Sequence, residues 1–104
     1  MSATPKPVAR VDAVLRELIP EYLENRRRDV ARMRLLCAGG PLEELSRILH
    51  QMKGSGGMYG FPRVTELARL METELAARGP ASLAAGLAEL EEYVNHVTVV
   101  YVED

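Results

Sequence analysis

The sequence predicts an all-α fold: an antiparallel, up-and-down four-helix bundle with a short extra N-terminal helix. Three observations carry that prediction. Apolar residues recur at steps of three and four along four stretches of the chain. Short Gly/Pro turns separate the long stretches. Of 104 residues, 47% are hydrophobic and 27% charged, with no Trp and one Phe, which suits a helical core of Leu, Val, Ala and Met. A chain of that length supports one domain around one core.

Residues 1–10 contain Pro5 and Pro7 but no hydrophobic signal core, and are expected to form a disordered leader. The bundle is then expected over residues 11–104. A short helix from about Val11 to Leu18 comes first. Pro20 opens the next helix, at a position that tolerates a missing N–H. From Ile19 to Cys37, the residues Ile19, Leu23, Val30, Met33 and Cys37 form an apolar stripe, with Tyr22 and Leu36 as a second edge. Asp29 and the run Arg26-Arg27-Arg28 interrupt it. The run reads as a solvated face paired with Glu24 or Asp29, the alternative being a basic rim that meets an acidic partner. The lone Cys37 excludes an internal disulfide, suggests a reducing compartment and reads as a core thiol.

Gly39-Gly40-Pro41 is the clearest break. The helix after it carries Leu42, Leu45, Leu49, Met52 and Gly56 on one stripe. Its second half holds Gly54, Gly56 and Gly57, each costing about 1 kcal/mol relative to alanine in a helix. Two compensations fit: close approach of a neighbouring helix at Gly56, and a cleared face around His50 at Gly54 and Gly57. A helix that stops at Lys53, with a loop to Gly60, is the competing reading. Met52, Gly56 and Tyr59 keep the helical step and favour the helix, which Phe61-Pro62 then ends.

The third long helix is expected over about Pro62 to Arg78, with Val64, Leu67, Ala68, Met71 and Leu75 inward. Gly79-Pro80 ends it. The fourth starts near Ala81, with Leu83, Leu87, Leu90, Val94, Val97 and Tyr101 as a bundle seam. Val97 to Val102 is rich in β-branched residues and would fray or extend if isolated.

A net charge of -2 argues against nonspecific nucleic-acid binding. No apolar run approaches the roughly 20 residues that span a bilayer, so a cytoplasmic protein without membrane contact is expected.

His50 stands one residue past Leu49, about 100° round the helix, at the edge of the buried stripe. Lys53, one turn on, would stabilise negative charge arriving at the imidazole, and Gly54 and Gly57 leave the ring uncovered. Glu72 has the same offset from Met71 that His50 has from Leu49, so neighbouring helices could set its carboxylate beside the ring. A carboxylate accepting from Nδ1–H fixes the tautomer and leaves Nε2 as a nucleophile. Other chemistries fit poorly. A metal site would need three or four ligands, yet His96 reads as a surface residue and Cys37 as core. No nucleotide-binding glycine loop is present, and Ser55 has no base one turn away.

These residues resemble the histidine-containing phosphotransfer (HPt) domain motif, His-x-Leu-Lys-Gly-small-small followed by a further Gly. Here it reads His50-Gln51-Met52-Lys53-Gly54-Ser55-Gly56-Gly57, then Gly60-Phe61. Met52 replaces the usual Leu and conserves volume. The likeness continues into Leu67-Ala68-Arg69-Leu70-Met71-Glu72, and the helix layout extends it over roughly residues 11 to 100. The resemblance implies a four-helix bundle in which His50 is the phospho-acceptor, Lys53 a charge partner of the phosphoryl oxygens and Glu72 the group that orients the imidazole. Gly54, Gly57 and Arg47 are assigned to partner contact. The implied partner is a receiver domain of a response regulator or hybrid histidine kinase, which supplies Mg²⁺ and its aspartate. The bundle itself is expected to bind no cofactor, to have no ATP site and to act as a monomeric carrier, standalone or cut from a larger kinase. A non-catalytic adaptor that binds receivers or kinases without carrying phosphate is the alternative.

Overall fold

The computed structural model describes residues 6–103, and the first five residues of the expected leader lie outside that range. The chain is mostly helical. Helix α1 runs over Ile19–Cys37, α2 over Leu42–Met58, α3 over Pro62–Arg78 and α4 over Ala84–His96. A 3-10 turn at Pro80–Leu83 leads into α4. Two short strands, β1 (Val8–Asp12) and β2 (Thr98–Val102), flank the helices.

Helix boundaries follow local chemistry. Pro20 and Pro62 lie in the first turns of α1 and α3, where the N–H that proline lacks has no intrahelical partner. The end of α2 is a Schellman motif: Phe61 N–H donates to Gly56 C=O at 2.7 Å and Gly60 N–H to Gly57 C=O at 3.2 Å. That motif requires a left-handed residue, and Gly60 supplies it with φ +91°. The helix therefore continues through Gly54, Gly56 and Gly57, and the loop alternative is not what forms.

Packing buries the expected stripes. Ile19, Tyr22, Leu23, Val30, Met33 and Leu36 are buried on α1, and Leu45, Leu49, Met52 and Gly56 on α2. Val64, Leu67, Ala68 and Met71 follow on α3, and Leu87, Leu90, Tyr93 and Val94 on α4. Each large aliphatic side chain fully removed from water contributes roughly 1.5–3 kcal/mol before the entropy cost. Helix α2 packs chiefly on α3, while α1 packs on α4 and α2. Leu42, the first residue of α2, is exposed, and Cys37 only borders the core.

Both ends of the chain differ from the helical expectation. The strands pair in parallel with register Val8↔Thr98 through Asp12↔Val102, and Thr98 N–H donates to Pro7 C=O at 2.8 Å. Parallel neighbours need a long crossover, and here all four helices form it. The expected helix from Val11 to Leu18 is not formed. Val11 belongs to β1, where Ala9 and Val11 turn inward with a period of two, and a 3-10 turn covers Ala13–Leu15. The Asp12 side chain sets that turn by accepting the Val14 N–H at 3.0 Å. Residues 8–10, expected in a leader, form the same strand. Helix α4 stops at His96, with Val97 already extended at ψ 131°, so Tyr101 lies on β2 rather than on a helical seam. The β-branched run 97–102 favours the pleated conformation once β1 offers a partner.

Candidate functional site

The site straddles α2 and α3. Leu49 is fully buried and fixes the rotation of α2, so the neighbouring His50 emerges with three quarters of its side chain exposed. Met71 does the same for α3 and brings Glu72 round to face α2. Lys53 Nζ lies 2.7 Å from Glu72 Oε1. His50 Nδ1 lies 3.8 Å from Glu72 Oε2, beyond hydrogen-bond range. Three sequence-predicted residues thus converge, with Glu72 paired directly to Lys53 and too far from Nδ1 to accept the hydrogen bond expected to fix the ring.

The glycines divide as their positions on the helix require. A Cβ on Gly54 would have no atom within 4 Å, and one on Gly57 would only touch Thr65 Oγ1 at 4.0 Å. Gly56 faces inward. A Cβ there would lie 2.6 Å from Thr65 N and 2.9 Å from Phe61 O, both backbone atoms that cannot yield. Arg47 is exposed one turn before His50, and Glu44, one turn earlier, is held below its ordinary pKa by a hydrogen bond from Arg32, with a smaller charge contribution from Arg47.

Of four further residues beside the site, Thr65 and Tyr22 escaped the sequence reading of functional positions, while Ser55 and Arg26 were read there in other roles. Thr65 Oγ1 donates to Lys53 C=O at 2.8 Å and accepts from Gly57 N–H at 2.9 Å. Ser55 Oγ accepts from Arg26 Nη1 at 3.2 Å and lies 3.3 Å from Tyr22 OH. Arg26 also stacks over the Tyr22 ring, 4.7 Å from its centroid. Its Nε lies 2.9 Å from Asp29 Oδ2, although the N–H is not aimed at that oxygen. Burial raises the Asp29 pKa, and Arg26 only partly opposes that rise. Arg26 thus pairs with Asp29, and Arg27 with Glu24 at 3.1 Å, both as expected, but the Arg26 side chain is mostly covered instead of solvated. Tyr22 stacks on Tyr59 and Phe61, with centroids 4.5 and 5.4 Å away, and so locks the α2–α3 turn against α1. An open groove of about 290 Å³ runs between α1 and α2, bordered by Tyr22, Arg26, Gln51 and Ser55. Spacing could have flagged Arg26, which sits at i+4 from Tyr22; nothing local points to Thr65.

His96 bonds locally, with Nδ1 3.0 Å from Glu92 C=O. Among the described residues no group of three or more His, Cys, Asp or Glu side chains is placed to hold a metal ion. No described helix is long and apolar enough to cross a membrane.

A four-helix domain that offers an exposed imidazole beside a lysine–glutamate pair, with glycines leaving the ring uncovered, defines a class of histidine-presenting bundles. Comparison with protein families names it: the Hpt domain matches residues 17–98, and the chain belongs to that family. The match takes in α1 to α4 and leaves β1 outside it. No curated protein and no solved structure matches the chain. Membership gives it a phosphotransfer role in two-component signalling, as a carrier rather than an ATP-using enzyme.

Proposed function

We propose that the chain is a phosphorelay carrier that accepts a phosphoryl group on His50 and exchanges it with aspartates of receiver domains. The exposure of His50 beside the Lys53–Glu72 pair is the observation that supports this most. With the proton on Nδ1, Nε2 attacks the phosphorus of the receiver's aspartyl phosphate. The P–N bond forms, the P–O bond to the aspartyl oxygen breaks, and the aspartate leaves as a carboxylate. The ring keeps its Nδ1 proton and becomes cationic, and Glu72 is the negative group that faces it. Lys53 screens the phosphoryl oxygens, and in-line positioning with charge stabilisation is most of what such a transfer needs. Mg²⁺ is assigned to the receiver, where it would neutralise the phosphoryl charge.

Gly54, Gly57 and Arg47 form the receiver-facing surface, with no side chain at the glycines to hold the partner away from Nε2. The carrier works as a cytoplasmic monomer. Its helices run up and down in antiparallel order. Later residues of α2 meet earlier ones of α3, as in Gly57 with Thr65 and Lys53 with Glu72, which supports that order. Arg27 with Asn95 and Arg34 with Glu91 support it for α1 and α4.

The test is transfer from a phosphorylated receiver with Mg²⁺, comparing wild type with His50→Gln. Acid-labile, base-stable label on the wild type alone is expected. Absence of label from a broad panel of competent receivers, with binding retained, would replace the carrier by an adaptor.

A further inference from the structure

Thr65 stands two helical turns before Glu72 on α3, so both side chains project towards α2. Glu72 meets the Lys53 ammonium, and Thr65 meets the Lys53 backbone. The two partners of the Thr65 hydroxyl, Lys53 C=O and Gly57 N–H, are an i, i+4 pair that a regular α-helix joins directly. The hydroxyl bridges the two groups of that rung, a position from which a side chain bears on the local course of a helix. Gly56 provides the room, since a Cβ there would collide with Thr65 Oγ1 and its backbone N. The costly glycine and the threonine are two halves of one contact, and that contact grips the turn of α2 that begins at Lys53.

We infer that Thr65 is a positioning residue for phosphoryl exchange at His50, acting through Lys53. The inference rests on the carrier reading above. Thr65 touches neither the imidazole nor the expected place of the phosphoryl group. By holding the Lys53 carbonyl it fixes where the lysine Cα stands relative to His50, and hence where the ammonium can reach.

The experiment measures transfer from a phosphorylated receiver with Mg²⁺ to the full chain carrying Thr65→Val, Thr65→Ser or Lys53→Ala, and to the Thr65→Val/Lys53→Ala double variant. Circular dichroism verifies folding. Thr65→Val, which lacks the hydroxyl, is expected to transfer roughly tenfold more slowly or worse, and Thr65→Ser within about twofold of wild type. In the Lys53→Ala background, Thr65→Val is expected to add little, because its route of action is already gone. A structural role alone would leave the two losses additive. Folded Thr65→Val at the wild-type rate, or full additivity, overturns the inference. If Thr65→Val does not fold, Thr65→Ala, which leaves no group against the Gly56 backbone, is judged by the same criteria. Failure of the wild type itself to take label, or label persisting on His50→Gln, overturns the carrier reading and this inference with it.

Discussion

Glu72 has two oxygens and two neighbours: one oxygen pairs with the lysine ammonium at 2.7 Å, and the other stands 3.8 Å from the imidazole. Under the carrier function proposed above, its value to transfer lies in its charge, which would face the ring as the ring becomes cationic. Glu72→Gln keeps the shape and removes that charge. We expect phosphoryl transfer to slow about tenfold, equivalent to about 1.4 kcal/mol of lost charge stabilisation. Stability should change little, since partly exposed ion pairs contribute about 0–1 kcal/mol. Parallel transfer assays and thermal melts check this; a large loss of stability with unchanged transfer would make Glu72 a structural brace. His50, Lys53 and Glu72 were legible in the sequence because each is a fixed offset from a buried neighbour. Thr65 was not, since its partners depend on how closely α3 approaches α2, a distance that Gly56 sets.

At the scale of the element, α2 carries an internal contrast. Gly54 faces open space and Gly56 faces the backbone of α3's first turn. Gly54→Ala should stabilise the fold by about 0.5–1 kcal/mol through helix propensity alone. Gly56→Ala should destabilise it by about 1–3 kcal/mol, because the backbone it meets has to move. For a domain of this size each kcal/mol shifts the melting midpoint by roughly 4–8 °C, so melts of the two variants should move in opposite directions. Equal shifts would mean that neither glycine is there for space. Periodicity exposed this contrast, because Gly56 falls on the Leu45–Leu49–Met52 stripe and Gly54 does not. The strands were harder to see. Val8–Asp12 is too short to outweigh a helical reading locally, and its partner lies 90 residues along the chain, at Thr98–Val102.

Across the whole molecule, α1 is tied to its neighbours by two surface forks. Arg32 grips Glu44 of α2 at 2.6 and 2.8 Å, and Arg34 grips Glu91 of α4 at 2.6 and 3.1 Å. Hydrogen bonds from these arginines lower the pKa of both glutamates from the ordinary 4.5. A carboxylate with a lowered folded pKa stabilises the fold above its unfolded pKa, and that contribution disappears as pH falls through the folded value. Asp29 has the opposite sign. Burial raises its pKa from 3.8, so its contribution is fullest below that pH and is lost as pH rises through the raised value. Urea denaturation at pH 3, 5 and 7 separates the two. Arg32→Gln/Arg34→Gln should be less stable than wild type at pH 7, with the gap closing on the acid side of about pH 4.5 as Glu44 and Glu91 protonate. Asp29→Asn should instead gain on the wild type as pH rises from about 4. Added salt should narrow the first gap, because the forks are exposed and screened, and should affect the half-buried Asp29 less. A gap of the same size at pH 3 and pH 7 in the arginine variant would mean that its side chains hold α1 by packing of their stems instead of by charge.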